Sequence, residues 1–193
     1  MKTEILVITD RSGSMAATAQ DVIGGYNTFI REQREVHGQA RVTFAQFDHA
    51  YELVYAGKPV ADVPTLDAKT FVPRGHTALL DAIGRTLNEQ GQRIATESWA
   101  DLVIVCILTD GGENASREFD IATIRSMTAQ AEKNGWKFVY LGANQDSFAV
   151  AQGLGLKGAI VANYDADAAG TQRAYGATSA TVRDLRGGPQ PKP

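Results

Sequence analysis

The chain has 193 residues, of which 44% are hydrophobic and 21% are charged, which is enough for one globular domain with a sizeable core. Its formal net charge of -3 provides no broad cationic surface, so nucleic acid and anionic membranes are excluded as expected partners. The single cysteine, Cys106, lies in the apolar run LVIVCIL, and we expect it to be a buried core residue in a reducing compartment.

The first predicted element is a buried strand at Ile5–Ile8, within the run ILVI. This run is too short to form the apolar core of a secretion signal or to cross a membrane. We therefore expect a cytoplasmic protein.

A helical pattern follows the first strand. Its apolar face consists of Val22, Ile23, Tyr26, Phe29 and Ile30. Gly24 and Gly25 lie inside this helix, and each costs roughly 1 kcal/mol relative to alanine. We therefore expect tertiary packing, rather than intrinsic propensity, to stabilise the helix.

The next two segments, 41–47 and 51–55, are rich in aromatic and β-branched residues. Only Asp48, His49 and Ala50 separate them, which is too few residues for a parallel crossover. The spacing predicts an antiparallel hairpin.

Helical and strand patterns alternate through the rest of the chain. The predicted helix faces are Leu79, Leu80, Ile83 and Leu87, then Ile121, Ile124, Met127 and Ala131. The predicted strands are Leu102–Leu108, Phe138–Leu141 and Ala159–Ala162. A last helix is expected from Asp165, carrying Tyr175, Val182 and Leu185 inward.

Together these patterns predict an α/β fold of the doubly wound kind. We expect a mostly parallel central sheet with one antiparallel edge strand and helices on both faces, because the apolar runs lack strict alternation. Residues 1–186 are predicted to form a single domain, and residues 187–193, GGPQPKP, a flexible C-terminal tail.

Polar residues cluster where two of the predicted strands end. Asp10, Ser12 and Ser14 follow the first strand, and Asp110 follows the run that contains Cys106. Thr77 begins a predicted helix in the stretch RGHTALLDAI. Ligands of open α/β sheets bind beyond the carboxyl ends of the strands, so we expect these residues to meet there.

Such a set of oxygen ligands suits Mg²⁺ or Mn²⁺. The two carboxylates would neutralise the ion, and the neutral hydroxyls would leave it able to accept one more anionic oxygen. The alternative interpretation is helix capping, because Asp, Ser and Thr are also common N-cap residues when taken singly. This alternative applies most strongly to Thr77.

The stretches DRSGSM, GHTALLDAI and LTDGGENAS resemble three loops of the von Willebrand factor type A domain. In that family these loops form the metal ion dependent adhesion site, which usually holds Mg²⁺. The resemblance implies that Ser12, Ser14 and Thr77 offer hydroxyls, and that Asp10 and Asp110 bind the metal directly or through water. It also implies that a partner protein supplies an Asp or Glu carboxylate to the metal.

The resemblance extends over roughly Thr3 to Ala162. The later stretches LGANQDSFAVAQGLG and NYDADAAGT resemble small stand-alone type A proteins of bacteria and their phages. If a phage encodes the chain, the expected compartment is the host cytoplasm. Intracellular members of the family act in assemblies, so an AAA+ ATPase or another multi-protein assembly is a predicted partner.

Four residues next to the predicted ligands are candidates for a rim that selects the partner. They are Arg11, His76, Glu113 and Asn114. The alternative is that they are ordinary exposed polar residues of the loops.

Two other functions stay open at this point. The chain could be a structural subunit of a larger bacterial or phage assembly, in which the metal only rigidifies the loops. It could also be a Mg²⁺-dependent phosphoryl-transfer enzyme, although Ser12 occupies the position where such enzymes carry a second Asp as general acid. We expect a binding module and not an enzyme.

Asp165 and Asp167, before the last predicted helix, are open to two interpretations. They either cap that helix or bind a second cation.

Overall fold

The computed structural model describes residues 1–143 and 146–187. Within them the strands are β1 Lys2–Asp10, β2 Gln39–Phe47, β3 Tyr51–Pro59, β4 Leu102–Thr109, β5 Lys137–Ala143 and β6 Ile160–Tyr164. The α-helices are α1 Ala19–Arg34, α2 Leu79–Glu97, α3 Ile121–Lys133, α4 Ser147–Gly153 and α5 Ala168–Gly187. Short 3-10 helices cover Gly13–Thr18 and Val60–Asp62.

The strands form one sheet in the order β3-β2-β1-β4-β5-β6. Only the β2–β3 pair is antiparallel among the strand pairs of the described residues. This confirms the predicted mostly parallel sheet with one antiparallel edge strand. Strand β1 pairs with both β2 and β4, so the strand order reverses beside it. That reversal opens a crevice at the carboxyl ends of β1 and β4.

Helices cover both faces of the sheet, as predicted. Successive side chains of a strand point to opposite faces. In β1, Ile5 and Val7 pack with residues of α1 and α5, whereas Leu6 and Ile8 pack with residues of α2, α3 and α4. Cys106 belongs to the first of these layers and is fully buried, which raises the pKa of its thiol to about 12. It is the core residue that the sequence predicted.

Helices α1 and α5 pack closely at a glycine. A Cβ on Gly25 would overlap the ring of Tyr175, whereas a Cβ on Gly24 would meet open space. The tertiary packing expected for α1 is therefore present, and it depends on one of the two glycines.

Several element boundaries differ from those predicted. Strand β3 continues past Tyr55, the last helix begins at Ala168 rather than Asp165, and the short helix α4 was not predicted. Ile121, predicted on the buried face of α3, is 41% exposed because it is the first residue of the helix, where packing has not yet begun.

The last helix has a capped start. Asp167 accepts a hydrogen bond from the backbone N–H of Gly170, and Asp165 pairs with Arg173. These contacts favour the capping alternative for the two aspartates over a second cation site. Of the predicted tail, Gly187 ends α5, and residues 188–193 lie outside the described residues. None of the helices in the described part of the chain has the length and apolar character needed to cross a membrane.

Candidate metal centre

The parallel strands β1 and β4 bring the two predicted carboxylates together at the carboxyl ends of the sheet. Asp10 ends β1, and Asp110 follows the last residue of the neighbouring strand β4. The Ser14 hydroxyl donates a hydrogen bond to Asp110 Oδ1 at 2.7 Å, and the hydroxyl oxygens of Ser12 and Ser14 are 3.1 Å apart. Two loops that are distant in sequence therefore share one polar cluster.

The loop that precedes α2 completes the cluster. The N–H of Gly13 donates to the carbonyl of Gly75 at 3.2 Å, which ties the first loop to this third one. Thr77 is 4% exposed, and a Cβ built on Gly111 would lie 3.6 Å from its hydroxyl oxygen. The fold thus gathers the three loops that carry the predicted ligands.

Asp10 is fully buried, and hydrogen bonds hold both of its carboxylate oxygens. Oδ1 accepts from the backbone N–H of Ser12 at 2.6 Å, and Oδ2 accepts from the Thr109 hydroxyl at 2.6 Å. The Ser12 contact is a turn closed by the aspartate itself, which fixes the loop directly after β1. These contacts set the orientation of the carboxylate.

The cluster has two negative groups, and within the described ranges no cationic side chain pairs with them. Burial raises the pKa of Asp10 to about 6, although its hydrogen bonds from Thr109 and Ser12 oppose the shift. Burial also raises the pKa of Asp110, against the hydrogen bond from Ser14. Among the described residues, neither carboxylate forms an ion pair. A bound cation would offset the cost of burying these charges.

The donor set limits which metals could fit. In the described ranges, no group of three or more His, Cys, Asp or Glu side chains comes together to hold a metal. A metal here would depend on two carboxylates supplemented by hydroxyls and water. Mg²⁺ and Mn²⁺ accept such oxygen donors and keep several waters, whereas structural zinc sites in proteins are built mostly from Cys and His side chains.

Asn114 holds Thr77 in place. Its side-chain Oδ1 accepts from the Thr77 N–H at 2.9 Å, and its own N–H donates to the Thr77 carbonyl at 3.0 Å. Asn114 is exposed beyond these contacts. This predicted rim residue therefore also positions a candidate ligand.

Glu113 is exposed, but its carboxylate is occupied. Oε2 accepts from the N–H of Leu80 at 2.9 Å and from the Ser116 hydroxyl at 2.6 Å. Oε1 accepts from the N–H groups of Ala115 and Ser116 at 2.9 and 2.7 Å. Glu113 thereby caps the first turn of α2 and closes the loop after β4.

Arg11 does not lie at the surface, unlike the exposed His76. Arg11 is only 4% exposed, and its guanidinium contacts Asp48 at 3.0 Å and Glu52 at 2.6 Å. Arg11 therefore ties the first loop to the β2–β3 hairpin, and a rim role for it does not fit this geometry.

Sequence reasoning missed two residues that shape the site. One is Thr109, whose hydroxyl donates to Asp10 and orients its carboxylate. Thr109 directly precedes Asp110 in the stretch LTDGG, and this position is the sequence signal that could have indicated its role. Asp48 is fully buried and accepts from Arg11 and Arg74. Burial opposes its ionisation, but the hydrogen bonds and these two cations hold its pKa below the ordinary value. No local pattern around Asp48 marks such long-range pairing.

Comparison with solved structures finds the same architecture in other proteins. The von Willebrand factor domain of the pilus tip protein Mfa5 from Porphyromonas gingivalis matches with a TM-score of 0.65 and 10% identity, covering 98% of each chain. The minor pilin PilB from Streptococcus sanguinis matches with a TM-score of 0.70 and 12% identity, over 96% of this chain and 62% of that one. Proximal thread matrix protein 1 from the mussel byssus was solved with zinc in its MIDAS motif, the metal ion dependent adhesion site. It matches with a TM-score of 0.64 and 14% identity, over 94% of this chain and 46% of that one.

The chain therefore spans about half the length of the mussel protein and under two-thirds of the pilin. No protein-family model and no curated protein sequence matches it. At such identities the likeness concerns the fold. The sheet order, the loops at the ends of β1 and β4 and these matches together show that the chain has the fold of a von Willebrand factor type A domain.

Proposed function

We propose that this domain binds Mg²⁺, or Mn²⁺, at its candidate metal centre and uses the metal to bind an Asp or Glu side chain of a protein partner. The observation that carries the proposal is Asp10. Its carboxylate is fully buried and held by hydrogen bonds, yet it has no cationic partner among the described residues. Ionising such a group near pH 7 is costly unless a cation compensates for the burial.

The residues that would hold the metal are Asp10, Ser12, Ser14, Thr77 and Asp110. A bound divalent ion would offer one electrophilic coordination position to a carboxylate oxygen from outside. The Ser14 hydroxyl can bind through a lone pair and still donate its proton to Asp110. His76 and Asn114, both exposed beside Thr77, would contact the partner around that position.

The extent of the domain, its location in the cell and its assembly are predictions from the sequence. We propose one domain over residues 1–186, a cytoplasmic location and a role within an assembly, such as one containing an AAA+ ATPase. Two of the similar folds belong to a minor pilin and a pilus tip protein, and one belongs to a byssal thread matrix protein. The proposal assigns no catalytic step to the site.

A structural role is the second candidate, and a specific observation favours it. The hydrogen bonds from Ser14 to Asp110 and from Gly13 to Gly75 join the three loops through groups of the protein itself. In this alternative the metal would only rigidify loops that already touch, and the partner would bind elsewhere on the domain.

The test uses a short glycine–serine peptide with one central aspartate. Its binding would be followed by NMR amide shifts of the protein, with Mg²⁺ and with a chelator. We expect saturable binding in Mg²⁺ that chelator and Asp10→Ala abolish. The matched control is Asp184→Ala, because Asp184 is an exposed aspartate on α5, away from the strand ends.

Binding of equal strength in chelator would contradict the metal-dependent mechanism and favour the structural role. The same conclusion would follow if the peptide failed to bind the Mg²⁺-saturated protein.

A further inference from the structure

A second, polar cavity lies beside the candidate metal centre. It has a volume of about 490 Å³, and its lining includes His49, His76, Asp81, Asn114, Arg117 and Glu118. It adjoins the metal centre, because Asn114 accepts a hydrogen bond from the N–H of Thr77 and His76 directly precedes Thr77 in the chain. A group bound in this cavity would therefore lie next to a carboxylate bound at the metal.

The carboxylates that line the cavity are already occupied. Asp81 accepts from the backbone N–H groups of Arg117, Glu118 and Phe119 at 2.9, 2.9 and 3.0 Å. Glu118 forms a two-pronged ion pair with Arg85, whose Nε lies 2.8 Å from Glu118 Oε2. The oxygen atoms of both acids are thus engaged by other groups of the protein, and Glu118 is also neutralised by Arg85.

Two groups of donors that line the cavity have no partner among the residues that the structure describes. The exposed Arg117 guanidinium forms no ion pair and no hydrogen bond within the described part of the chain, where only its backbone N–H is bonded. The side-chain NH₂ of Asn114 is also unused there, since its bond to Thr77 engages Oδ1. His49 is already engaged, because its Nδ1 lies 3.2 Å from Asp48 Oδ1, whereas the exposed His76 adds a further ring to the lining. The groups that lack a partner in the described part of the chain are thus the Arg117 guanidinium and the Asn114 NH₂.

We infer that this cavity binds a second acidic side chain of the same partner, so that the preferred ligand is a segment with two acidic residues. The inference rests on the proposed function, which supplies the first carboxylate contact. Arg117 is the residue that gives the cavity its preference, because its planar guanidinium can donate two parallel hydrogen bonds to a carboxylate. A second carboxylate would pair with it while the side-chain NH₂ of Asn114 donates to the remaining oxygen lone pairs.

The experiment compares glycine–serine peptides that carry one aspartate with peptides that carry two, at increasing separation. Binding to the Mg²⁺-saturated protein would be measured at low and high salt. We expect one spacing to bind roughly threefold more tightly than the other two-aspartate peptides, the size typical of an exposed ion pair. High salt should reduce this gain.

Arg117→Gln should remove the gain and leave the affinity for the single-aspartate peptide unchanged. The matched control is Arg183→Gln, which removes an exposed arginine of α5. Equal affinities for all peptides, or a gain that persists in Arg117→Gln, would overturn the inference while metal-dependent binding stands. Loss of binding for every peptide would instead overturn the proposed function on which it rests.

Discussion

The Ser14 hydroxyl donates a hydrogen bond of 2.7 Å to Asp110 across 96 residues of sequence. This bond joins the loop after β1 to the loop after β4, the two strands beside which the sheet reverses its order. The oxygen atoms of the candidate site are therefore assembled by the fold itself. A metal that binds there would meet donors that already lie close to one another. Because the loops need little further ordering, the entropic cost of metal binding is lower.

Asp10→Asn should stabilise the metal-free protein near pH 7. Burial raises the pKa of Asp10 from 3.8 to about 6, so the folded state holds this proton more tightly than the unfolded chain does. Stability therefore falls as the pH rises through that interval, by up to about 3 kcal/mol. Asparagine avoids this cost, and the Thr109 hydroxyl can accept from its amide while donating to the Gly111 carbonyl, 3.0 Å away.

Urea unfolding in chelator, at about pH 4 and about pH 7, checks this prediction. The variant should exceed the wild type in stability near pH 7 only, and Mg²⁺ should then stabilise the wild type alone. A variant that is less stable than the wild type near pH 7 would show that the Asp10 charge is already compensated.

Asp48→Asn should show the opposite pH dependence. The pKa of Asp48 lies below its ordinary value, because its bonds from Arg74 and Arg11 outweigh the effect of burial. Its contribution to stability is thus present above the ordinary pKa and is lost as the pH falls through the lowered one. We expect a loss of about 2 kcal/mol near pH 7, the size of a hydrogen bond to a charged group, because the buried Arg11 then keeps Glu52 as its charged partner. Urea unfolding measures it, and Asp184→Asn is the control. An unchanged free energy of unfolding would mean that Glu52 alone compensates Arg11.

Glu113→Ala should lower stability without changing the metal site. Its carboxylate accepts from the N–H of Leu80 and from the N–H and hydroxyl of Ser116, so its loss uncaps α2. We expect a decrease of about 1 kcal/mol in the free energy of unfolding. Thermal unfolding would measure it, with Glu89→Ala, an exposed position on α2, as the control. Unchanged stability together with weaker binding of acidic peptides would instead assign Glu113 to the rim.

The two adjacent glycines of α1 should respond in opposite directions to alanine. Gly24→Ala places a methyl group in open space and should stabilise the helix by about 1 kcal/mol. Gly25→Ala forces a methyl group into the Tyr175 ring and should destabilise the protein by about 1 to 3 kcal/mol. Denaturant unfolding of both variants distinguishes them. Equal effects would contradict the close packing of α1 on α5 at this point.

The sheet and the placement of its loops could be predicted because apolar runs and short connections are local signals. Asp10 and Asp110 directly follow such runs, so their meeting at one edge follows from a parallel sheet. Arg11 could not be placed, because its burial depends on Asp48 and Glu52, which the hairpin brings near only in the folded chain. Helix α4 was missed because its seven residues are too few to show a helical period.

The most direct test of the proposed function is isothermal titration of the metal-stripped protein with Mn²⁺ and Mg²⁺. It would be run beside Asp10→Ala, the double variant Ser12→Ala/Ser14→Ala, and the control Asp184→Ala. We expect saturable binding at one site in the wild type and the control, and none in the two site variants. Equal binding by Asp10→Ala and the wild type, or no saturable binding by the wild type, would contradict a metal centre at the ends of β1 and β4.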